Sequence, residues 1–382
     1  MTSPASYDVA VVGLGAMGSS AALHLARRGL RVLGIDRFAP PHDLGSSHGR
    51  ARLIREAYYE DPLYVPLVRR AYELWRALEH EVAAPVLHRT GAVMIGAAES
   101  ELIMGTRESA IRHDVPHELL DAKQLHQRFP VLEPLADMVG VFEPGASILV
   151  PETIVGLQVE LASRAGATLV FGERVMSWEG GTDGVELRTD RGTHHARQVV
   201  CCAGAWTPGL VAGTSSLLEV ERQVQQWWAP ARKEESFGIG HMPVTLWELA
   251  NGRVFYTMPD MGQGLKVGWH HSGAVTDPDR VERTVSPEEH AGIADLLRRF
   301  TPAAKGDRLA SQVCLYTNTP DRHFIVDRLP GEARVLLVSA CSGHGFKFAS
   351  VIGEVVADLV TSGRSAFDLT PFRLARFSAQ AA

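Results

Sequence analysis

Three glycines near the amino terminus have the spacing needed to bind a dinucleotide. They follow an apolar run at 7–12 and precede a helical stretch at 19–28. In such a turn the first glycine bends the chain, the second lets the backbone approach a pyrophosphate, and the third lets the helix pack closely on the strand. The start of the helix presents free N–H groups to the phosphates. The residues predicted to bind the pyrophosphate are Gly13, Gly15, Ala16, Met17 and Gly18.

An acidic residue closes the second strand of this unit. Asp36 follows the predicted strand 30–35 and is placed to accept hydrogen bonds from a ribose. A strand, a glycine turn, a helix, a second strand and an acid in this order are more specific than the glycines alone. The pattern does not distinguish NAD from FAD, and a glycine-rich turn in another α/β fold is the alternative.

Two further stretches have side chains or backbone that suit an anionic ligand. Arg50, Arg52 and Arg55 fall within six residues, directly after a loop at 39–49 rich in Pro, Gly and Ser. A solvated basic face is the alternative for such a cluster. Small residues at 201–205 end a buried strand, and they let a backbone approach a ligand closely. A simple strand-to-helix turn explains this second stretch equally well.

The elements that must position these residues belong to a two-domain globular protein. The chain has 382 residues, a length that exceeds what one hydrophobic core usually supports. Its composition, with 45 % hydrophobic and 21 % charged residues, is that of an ordinary globular protein. The formal net charge of −6 gives no sign of a nucleic-acid surface. We find neither a membrane-spanning run nor a secretory signal. The four cysteines suit neither a disulfide framework nor a metal site, which predicts a reducing cytoplasm.

Periodicity predicts an alternation of helices and strands along the chain. Residues from 215 to 318 are rich in aromatic and β-branched types and predict an antiparallel sheet that forms the roof of a substrate site. The other predicted helices cover 67–78, 99–112, 122–128 and 151–165, and the other predicted strands cover 90–95, 168–171, 175–178, 184–189, 195–200 and 335–339. A turn at 342–345 leads into a final helix that ends near 359.

Four segments together resemble the monomeric sarcosine oxidase and N-methyltryptophan oxidase family of flavin amine oxidases. They are the amino-terminal unit, residues 48–55, residues 312–321 with the pattern Cys-x-Tyr-Thr-x-Thr-Pro, and residues 342–348 with the pattern Ser-Gly-His-Gly-Phe-Lys. The likeness covers nearly the whole chain in order and spacing, and it favours FAD over NAD.

The resemblance implies an α/β fold with a Rossmann-like FAD-binding domain of the glutathione-reductase or D-amino-acid-oxidase type. A second, α+β domain built on an antiparallel sheet holds the substrate. The expected FAD domain is discontinuous and covers 1–85, 146–214 and 319–382. The expected substrate domain covers 86–145 and 215–318.

The resemblance also implies how the cofactor is held. A family cysteine that is joined to the flavin ring through a thioether matches Cys314, and Cys341 is a competing candidate for this tether. Arg52 matches a residue packed against the flavin ring. Beyond the pyrophosphate-binding residues, the predicted cofactor contacts are Asp36, Arg37, Ser47, Arg52, Val175, Ala203, Gly204, Trp206, Cys314, Gly343, His344, Gly345 and Lys347.

Seven residues acquire predicted catalytic roles from the same resemblance. Arg55 and Lys347 bind the substrate carboxylate, and an arginine suits this because its fork can donate two parallel hydrogen bonds. Lys266 provides a positive charge where oxygen is reduced. The remaining four are His270, which faces the same side of a strand as Lys266, the cavity residues Tyr256 and Tyr316, and His344, a donor near the flavin pyrimidine.

The implied reaction is the oxidation of an N-methyl amino acid by O2, which yields the demethylated amino acid, formaldehyde and hydrogen peroxide. We expect a cytoplasmic monomer that acts on a small molecule and contacts neither nucleic acid nor a membrane. The first alternative is an oxidase or dehydrogenase of other small amino or imino acids on the same fold. The second is a non-catalytic sensor that binds a dinucleotide, and a NAD-linked dehydrogenase comes third. The sequence does not identify the amino acid.

Overall fold

A computed structural model of the chain describes residues 6–232 and 234–378. In chain order the strands are β1 (Ser6–Val12), β2 (Val32–Asp36), β3 (Arg52–Ile54), β4 (Leu87–Arg89), β5 (Ala92–Ala97), β6 (Glu118–Asp121), β7 (Met138–Glu143), β8 (Ser147–Leu149), β9 (Thr168–Phe171), β10 (Val175–Gly180), β11 (Val185–Thr189), β12 (Thr193–Cys201), β13 (Glu219–Trp228), β14 (Val244–Glu248), β15 (Val254–Met258), β16 (Leu265–His270), β17 (Arg308–Asn318), β18 (Ile325–Leu329) and β19 (Glu332–Ser339).

The helices of the described residues are α1 (Ala16–Arg27), α2 (Val65–Val82), α3 (Glu101–Arg112), α4 (Ala122–Arg128), α5 (Pro151–Arg164), α6 (Thr207–Leu210), α7 (Pro287–Phe300), α8 (Ala349–Ser362) and α9 (Ala375–Ser378). Short 3-10 turns cover Pro62–Tyr64, Gly204–Trp206, Glu234–Phe237, Pro302–Ala304, Phe346–Phe348 and Thr370–Phe372. Among these described helices, none is long and apolar enough to cross a membrane.

The described residues group into two compact units. The first unit is drawn from Met1–Arg50, Pro151–Val220 and Leu315–Ala382, and the second from Ala51–Val150 and Glu221–Cys314. Residues 51–85 and 146–150, which we predict in the FAD domain, fall in the second unit, whereas residues 215–220 and 315–318, which we predict in the substrate domain, fall in the first. The α/β fold class is confirmed.

The first unit is built on a sheet of order β10-β11-β12-β1-β2-β9, in which β19 also pairs with β12 and with β18. Strand β1 pairs in parallel with both β2 and β12, so that Val12 lies between Ile35 and Cys201. Helix α1 connects β1 to β2 and packs against α5 and α8. The packing on α8 is tight, because a Cβ atom on Gly353 would lie 2.2 Å from the Ser20 hydroxyl oxygen. This arrangement confirms the predicted strand, glycine turn, helix and strand.

The second unit is built on a sheet of order β17-β13-β16-β15-β14-β5-β7-β6, with a separate sheet β3-β8-β4. One face of the large sheet forms an apolar core with helix α7, where the rings of Trp247 and Phe300 lie 5.1 Å apart. On the opposite face, Met94 and Leu246 pack in a second cluster with Ile148. The sheet is mixed rather than purely antiparallel, since β5 and β14 pair in parallel.

One local prediction was confirmed in part and another was wrong. The predicted strand 90–95 corresponds to β5, but β5 begins only at Ala92, because Gly91 adopts a φ of +67°. Residues 287–300 form helix α7 inside the region we expected to be all sheet. Its signal is a capping box, in which the Ser286 hydroxyl accepts from the Glu289 N–H and the Glu289 carboxylate accepts from the Ser286 N–H.

Candidate active site

The glycine turn of the first unit admits no side chain at its critical positions. Gly13 has a φ of +87°, and a Cβ atom there would lie 2.5 Å from the carbonyl oxygen of Cys202. A Cβ atom on Gly18 would lie 1.7 Å from the carbonyl oxygen of Gly13. The end of β12 thus lies directly against the turn, and the backbone there is bare, as a bound pyrophosphate requires.

Asp36 is held by the same turn. Its buried carboxylate accepts the N–H of Leu14 at 2.7 Å and the N–H of Phe38 at 2.8 Å. Burial raises the pKa of Asp36, and these two donors oppose that rise. Each carboxylate oxygen keeps a second lone pair with which to accept a ribose hydroxyl. At the start of α1, the Ser47 hydroxyl accepts the N–H of Ala16 at 3.0 Å.

The residues of the first unit fit a bound dinucleotide. His48 is 1 % exposed, and neither of its ring nitrogens has a hydrogen-bond partner within 6–232 and 234–378. Glu152 accepts the N–H groups of the next two residues, Gly49 and Arg50, and so holds this loop in place. A polar ligand beside the loop would satisfy the imidazole. Together with the bare glycine turn, this orphaned ring supports FAD as the group that the unit binds.

The other predicted cofactor residues of the first unit lie at strand ends and turns. The Arg37 guanidinium stacks over the ring of Phe38 at 4.8 Å and over the ring of Trp206 at 5.0 Å. Trp206 ends the 3-10 turn that starts at Gly204 and follows Ala203. The remaining member, Val175, is a buried residue that begins β10.

The turn between β19 and α8 is also shaped by glycine. A Cβ atom on Gly345 would lie 1.7 Å from the carbonyl oxygen of Ala340, and Gly343 has a φ of +76°. Lys347 is 6 % exposed, and its ammonium donates to the carbonyl oxygen of His344 at 2.8 Å. The α-helix itself begins at Ala349, after a 3-10 turn.

His344 uses its ring inside the first unit. Its Nε2 atom lies 3.0 Å from the carbonyl oxygen of Arg322, and its ring stacks on Phe324 at 4.8 Å. These contacts fix the imidazole between two loops of the unit. Its predicted role as a donor to the flavin stays a prediction.

In the second unit, Arg55 is a buried cation inside a cage of its own loop. It is 2 % exposed, pairs with the Glu60 carboxylate at 2.6 Å and lies over the rings of Tyr58 and Tyr59 at 4.6 and 4.8 Å. Burial acts to lower the pKa of Arg55, but Glu60, together with Tyr58 and Tyr59, offsets this effect, so the pKa is raised. Sequence reasoning missed Glu60 as a partner, although an acid five residues after the arginine was a visible signal.

A buried carboxylate anchors the segment that follows Arg55. Glu143, at the end of β7, accepts the N–H of Glu56 at 2.8 Å and the N–H of Ala57 at 2.9 Å. Burial raises the pKa of Glu143, and the two N–H donors oppose that rise. The carboxylate therefore performs for this segment what Asp36 performs for the glycine turn.

Lys266 lies on β16 and is 2 % exposed. Its ammonium donates to the carbonyl oxygen of Ala51 at 2.9 Å and lies 5.7 Å from the ring of Trp227 and 5.8 Å from the ring of Tyr256. His270 lies four residues further along the same strand, so both side chains project from one face. The structure thus brings together Lys266, Tyr256 and His270, three predicted site residues of the second unit.

The two candidate tether cysteines have different surroundings. Cys314 lies on β17, and the Arg52 guanidinium Nη2 is 3.5 Å from its sulfur. Cys341 accepts the N–H of Thr317 at 3.3 Å through its own sulfur. Tyr316 is a half-buried residue of the same strand as Cys314. Within the described parts of the chain, no cluster of His, Cys, Asp and Glu is arranged to hold a metal ion.

Burial also changes the acidity of Tyr256. It raises the pKa of this phenol well above its usual value, and the nearby Arg52 guanidinium only partly opposes the rise. Tyr256 is therefore a neutral hydroxyl at physiological pH, able to donate or accept a hydrogen bond.

Comparison with known proteins finds a matching family profile and several similar proteins. The profile of the FAD dependent oxidoreductase family matches residues 8–359. The monomeric sarcosine oxidase of Streptomyces avermitilis is 42 % identical over 379 residues, with 98 % of each chain covered. The N-methyl-L-tryptophan oxidase of Escherichia coli is 36 % identical, with 97 % of this chain and 99 % of that protein covered. The solved structure of NikD, an unusual amino acid oxidase, matches with a TM-score of 0.85 at 25 % identity, over 96 % of this chain and 97 % of the other.

Proposed function

The chain belongs to the family of FAD dependent oxidoreductases, and we propose that it oxidises the N-methyl group of a secondary amino acid with O2. The substrate is sarcosine or a related N-methyl amino acid. The products are the demethylated amino acid, formaldehyde and hydrogen peroxide. The curated relatives that support this proposal act, by their names, on sarcosine and on N-methyl-L-tryptophan.

One observation carries the proposal, namely the burial of three cations at the positions that the resemblance assigns to the reaction. Arg55, Lys266 and Lys347 are 2 %, 2 % and 6 % exposed. Because burying a cation costs free energy, an arginine or lysine whose only role is solubility is expected at the surface. Arg55 and Lys347 each supply positive charge for the substrate carboxylate. Lys266 supplies it where oxygen is reduced.

Bound FAD would supply the redox chemistry, namely two-electron oxidation of the amine and transfer of those electrons to oxygen. Gly13, Gly18 and Asp36 of the first unit would hold its pyrophosphate and ribose. The second unit would then orient the amine, because its predicted site residues bind and position rather than transfer electrons. Under this proposal the first unit is the FAD domain and the second is the substrate domain.

A screen of amines tests the function directly. The purified chain is mixed aerobically with sarcosine, larger N-methyl amino acids, glycine and proline, and peroxide and formaldehyde are measured. We expect one formaldehyde per peroxide from the N-methyl compounds. Peroxide from glycine or proline without formaldehyde would identify an oxidase of other amino or imino acids instead. A flavin spectrum that no amine bleaches would contradict catalysis altogether.

We further propose that the cofactor is tethered through Cys314. The Cys314 sulfur lies 3.5 Å from the Arg52 guanidinium, whereas the Cys341 sulfur already accepts a backbone N–H from Thr317. Acid precipitation should then leave the yellow colour in the protein pellet. Cys314→Ala should release the colour to the supernatant, and Cys341→Ala, the matched control, should retain it. The opposite pattern would move the tether to Cys341.

We also propose that the enzyme is a monomer, that it acts on a small molecule and O2, and that it is located in the cytoplasm. The name of the Streptomyces avermitilis relative supports the monomer. Sedimentation of the purified holoenzyme would test this, since a dimer would sediment at twice the expected mass of 41.5 kDa.

A further inference from the structure

One buried side chain in the second unit carries a hydrogen-bonding atom that no described residue satisfies. Gln225 lies on β13 and is 3 % exposed, and its Oε1 atom has no hydrogen-bond partner among residues 6–232 and 234–378. An unpaired amide oxygen in the interior is costly and calls for a specific explanation.

The other glutamines of β13 show that this is not a general feature of the strand. The Gln223 amide donates to the Glu221 carboxylate at 2.6 Å. The Gln226 amide donates to the carbonyl oxygen of Glu289, and its own oxygen accepts from the Trp228 indole at 3.2 Å. Both of these side chains are thus used within the unit, whereas the carboxamide oxygen of Gln225 is not.

The strand register places Gln225 on the face that carries the predicted site residues. Gln225 is opposite Gly268 on β16, and Gly268 is opposite Tyr256 on β15. Directly opposite residues of antiparallel strands project from the same face. Lys266 and His270 flank Gly268 at a spacing of two, so they share that face as well.

Gly268 leaves the space between Gln225 and Tyr256 without a side chain of its own. A Cβ atom there would lie 2.7 Å from the Tyr256 hydroxyl oxygen and 2.8 Å from the carbonyl oxygen of Val224. The phenol of Tyr256 therefore extends over Gly268 towards β13. The register thus places Gln225 on the sheet face that carries this phenol, on the other side of Gly268.

We propose that Gln225 is a specificity-determining residue whose carboxamide accepts a hydrogen bond from an N–H or O–H group on the side chain of the substrate. The inference rests on the proposed function and narrows its substrate class. The preferred substrates are N-methyl amino acids whose side chains carry a hydrogen-bond donor. Sarcosine, which has no side chain, leaves the amide unpaired and is a poorer substrate.

Matched substrate pairs test the proposal. N-methylserine is compared with N-methyl-2-aminobutyrate, and N-methyltryptophan with its benzothienyl analogue, in which sulfur replaces the indole N–H. Anaerobic flavin bleaching gives the Kd and the limiting rate for each compound. We expect at least one donor-bearing member to be preferred by about 10- to 100-fold, mainly through Kd. Gln225→Met should reduce that preference to about threefold or less, while the limiting rate for N-methyl-2-aminobutyrate stays within about threefold.

Thermal unfolding supplies a readout that does not depend on activity. Because Gln225 makes no internal hydrogen bond through Oε1, Gln225→Met should leave the Tm unchanged or raise it. Gln223→Met, the matched control on the same strand and face, removes the hydrogen bond that the amide donates to the Glu221 carboxylate and should lower the Tm by about 2–4 °C. Gln225→Asn, which keeps an amide but shortens its reach, should fold normally and also lose the preference.

Equal bleaching by both members of every pair in the wild type would overturn the inference. A preference that is retained in Gln225→Met and Gln225→Asn would do so as well. A third contradicting result would be a Tm loss in Gln225→Met as large as in Gln223→Met. Each of them leaves the proposed oxidation of N-methyl amino acids intact. If no N-methyl amino acid bleaches the flavin, the proposed function fails, and the inference fails with it.

Discussion

The glycine turn of the first unit and the sheet face of the second are built by opposite means. The turn is defined by backbone, since added Cβ atoms at Gly13 and Gly18 would lie 2.5 and 1.7 Å from carbonyl oxygens. The face is defined by side chains at alternate positions of paired strands, such as Lys266 and Tyr256. A backbone-built site depends on local sequence, whereas a face built from side chains depends on which strands pair and in what register.

The largest effect should come from filling the glycine turn. Gly18→Ala places a methyl group against the backbone carbonyl of Gly13, which cannot move without displacing β1. We expect a loss of at least about 4 kcal/mol of stability, with little flavin-loaded protein recovered. The measurements are soluble yield and FAD absorbance per chain.

Gly292→Ala is the matched control for this clash. Gly292 is also helical, in α7, but a Cβ atom there meets nothing within 4 Å. Alanine at this position should stabilise the protein by about 0.5–1 kcal/mol. Normal FAD content and yield in Gly18→Ala would show that the turn is not built by the absence of side chains.

On the sheet face, the largest effect should come from removing the charge of Lys266. Lys266→Met should slow the reoxidation of reduced enzyme by O2 by about 10²- to 10³-fold, because a fixed positive charge no longer stabilises the developing anion. Anaerobic reduction by substrate should change far less. Stopped-flow measurement of both half-reactions separates the two. Lys123→Met, the control at an exposed lysine of α4, should alter neither rate. Equal slowing of both half-reactions in Lys266→Met would refute the role of Lys266 in oxygen reduction.

The two regions also differ in how far the sequence alone predicted them. The strand, turn and helix around Gly13 follow from local spacing, and so does the shared face of Lys266 and His270 on one strand. The partner of Lys266 does not follow from local spacing. The contact of Lys266 with Ala51 joins residues 215 positions apart and exists only once the chain has folded. For the same reason the sequence does not show that the carboxamide oxygen of Gln225 is unpaired. It also does not show that Gln225 lies on the face of Tyr256 and Lys266, which follows from the register of three strands.

A smaller effect is expected at Arg55, because its guanidinium already donates a hydrogen bond to the Glu60 carboxylate. Arg55→Met should raise the Kd of acetate-like ligands by about 10- to 100-fold, because a charge-assisted hydrogen bond is lost. Glu60→Gln should lower that Kd by a few-fold, since it frees the guanidinium from its internal partner. Perturbation of the flavin absorbance by the ligand gives both constants. A change in the same direction in both variants would mean that Arg55 only maintains the loop.

The smallest effect concerns the two anchoring carboxylates, Asp36 in the first unit and Glu143 in the second. Burial raises the pKa of both groups, so the folded state holds each proton more tightly than the unfolded state does. Ionisation of either group therefore costs stability: the cost is complete above the folded pKa, shrinks as the pH falls below it, and is absent below the unfolded pKa. Asp36→Asn and Glu143→Gln should each flatten the pH dependence of the urea midpoint between these two pKa values. Each variant also loses one acceptor for a backbone N–H, which adds a pH-independent loss of about 1–3 kcal/mol of stability.

The two variants should differ in their effect on ligand binding. Asp36→Asn should lower FAD content, whereas Glu143→Gln should keep FAD and weaken carboxylate binding through the Arg55 segment. Identical losses of FAD in both variants would erase the distinction between a cofactor anchor and a substrate anchor.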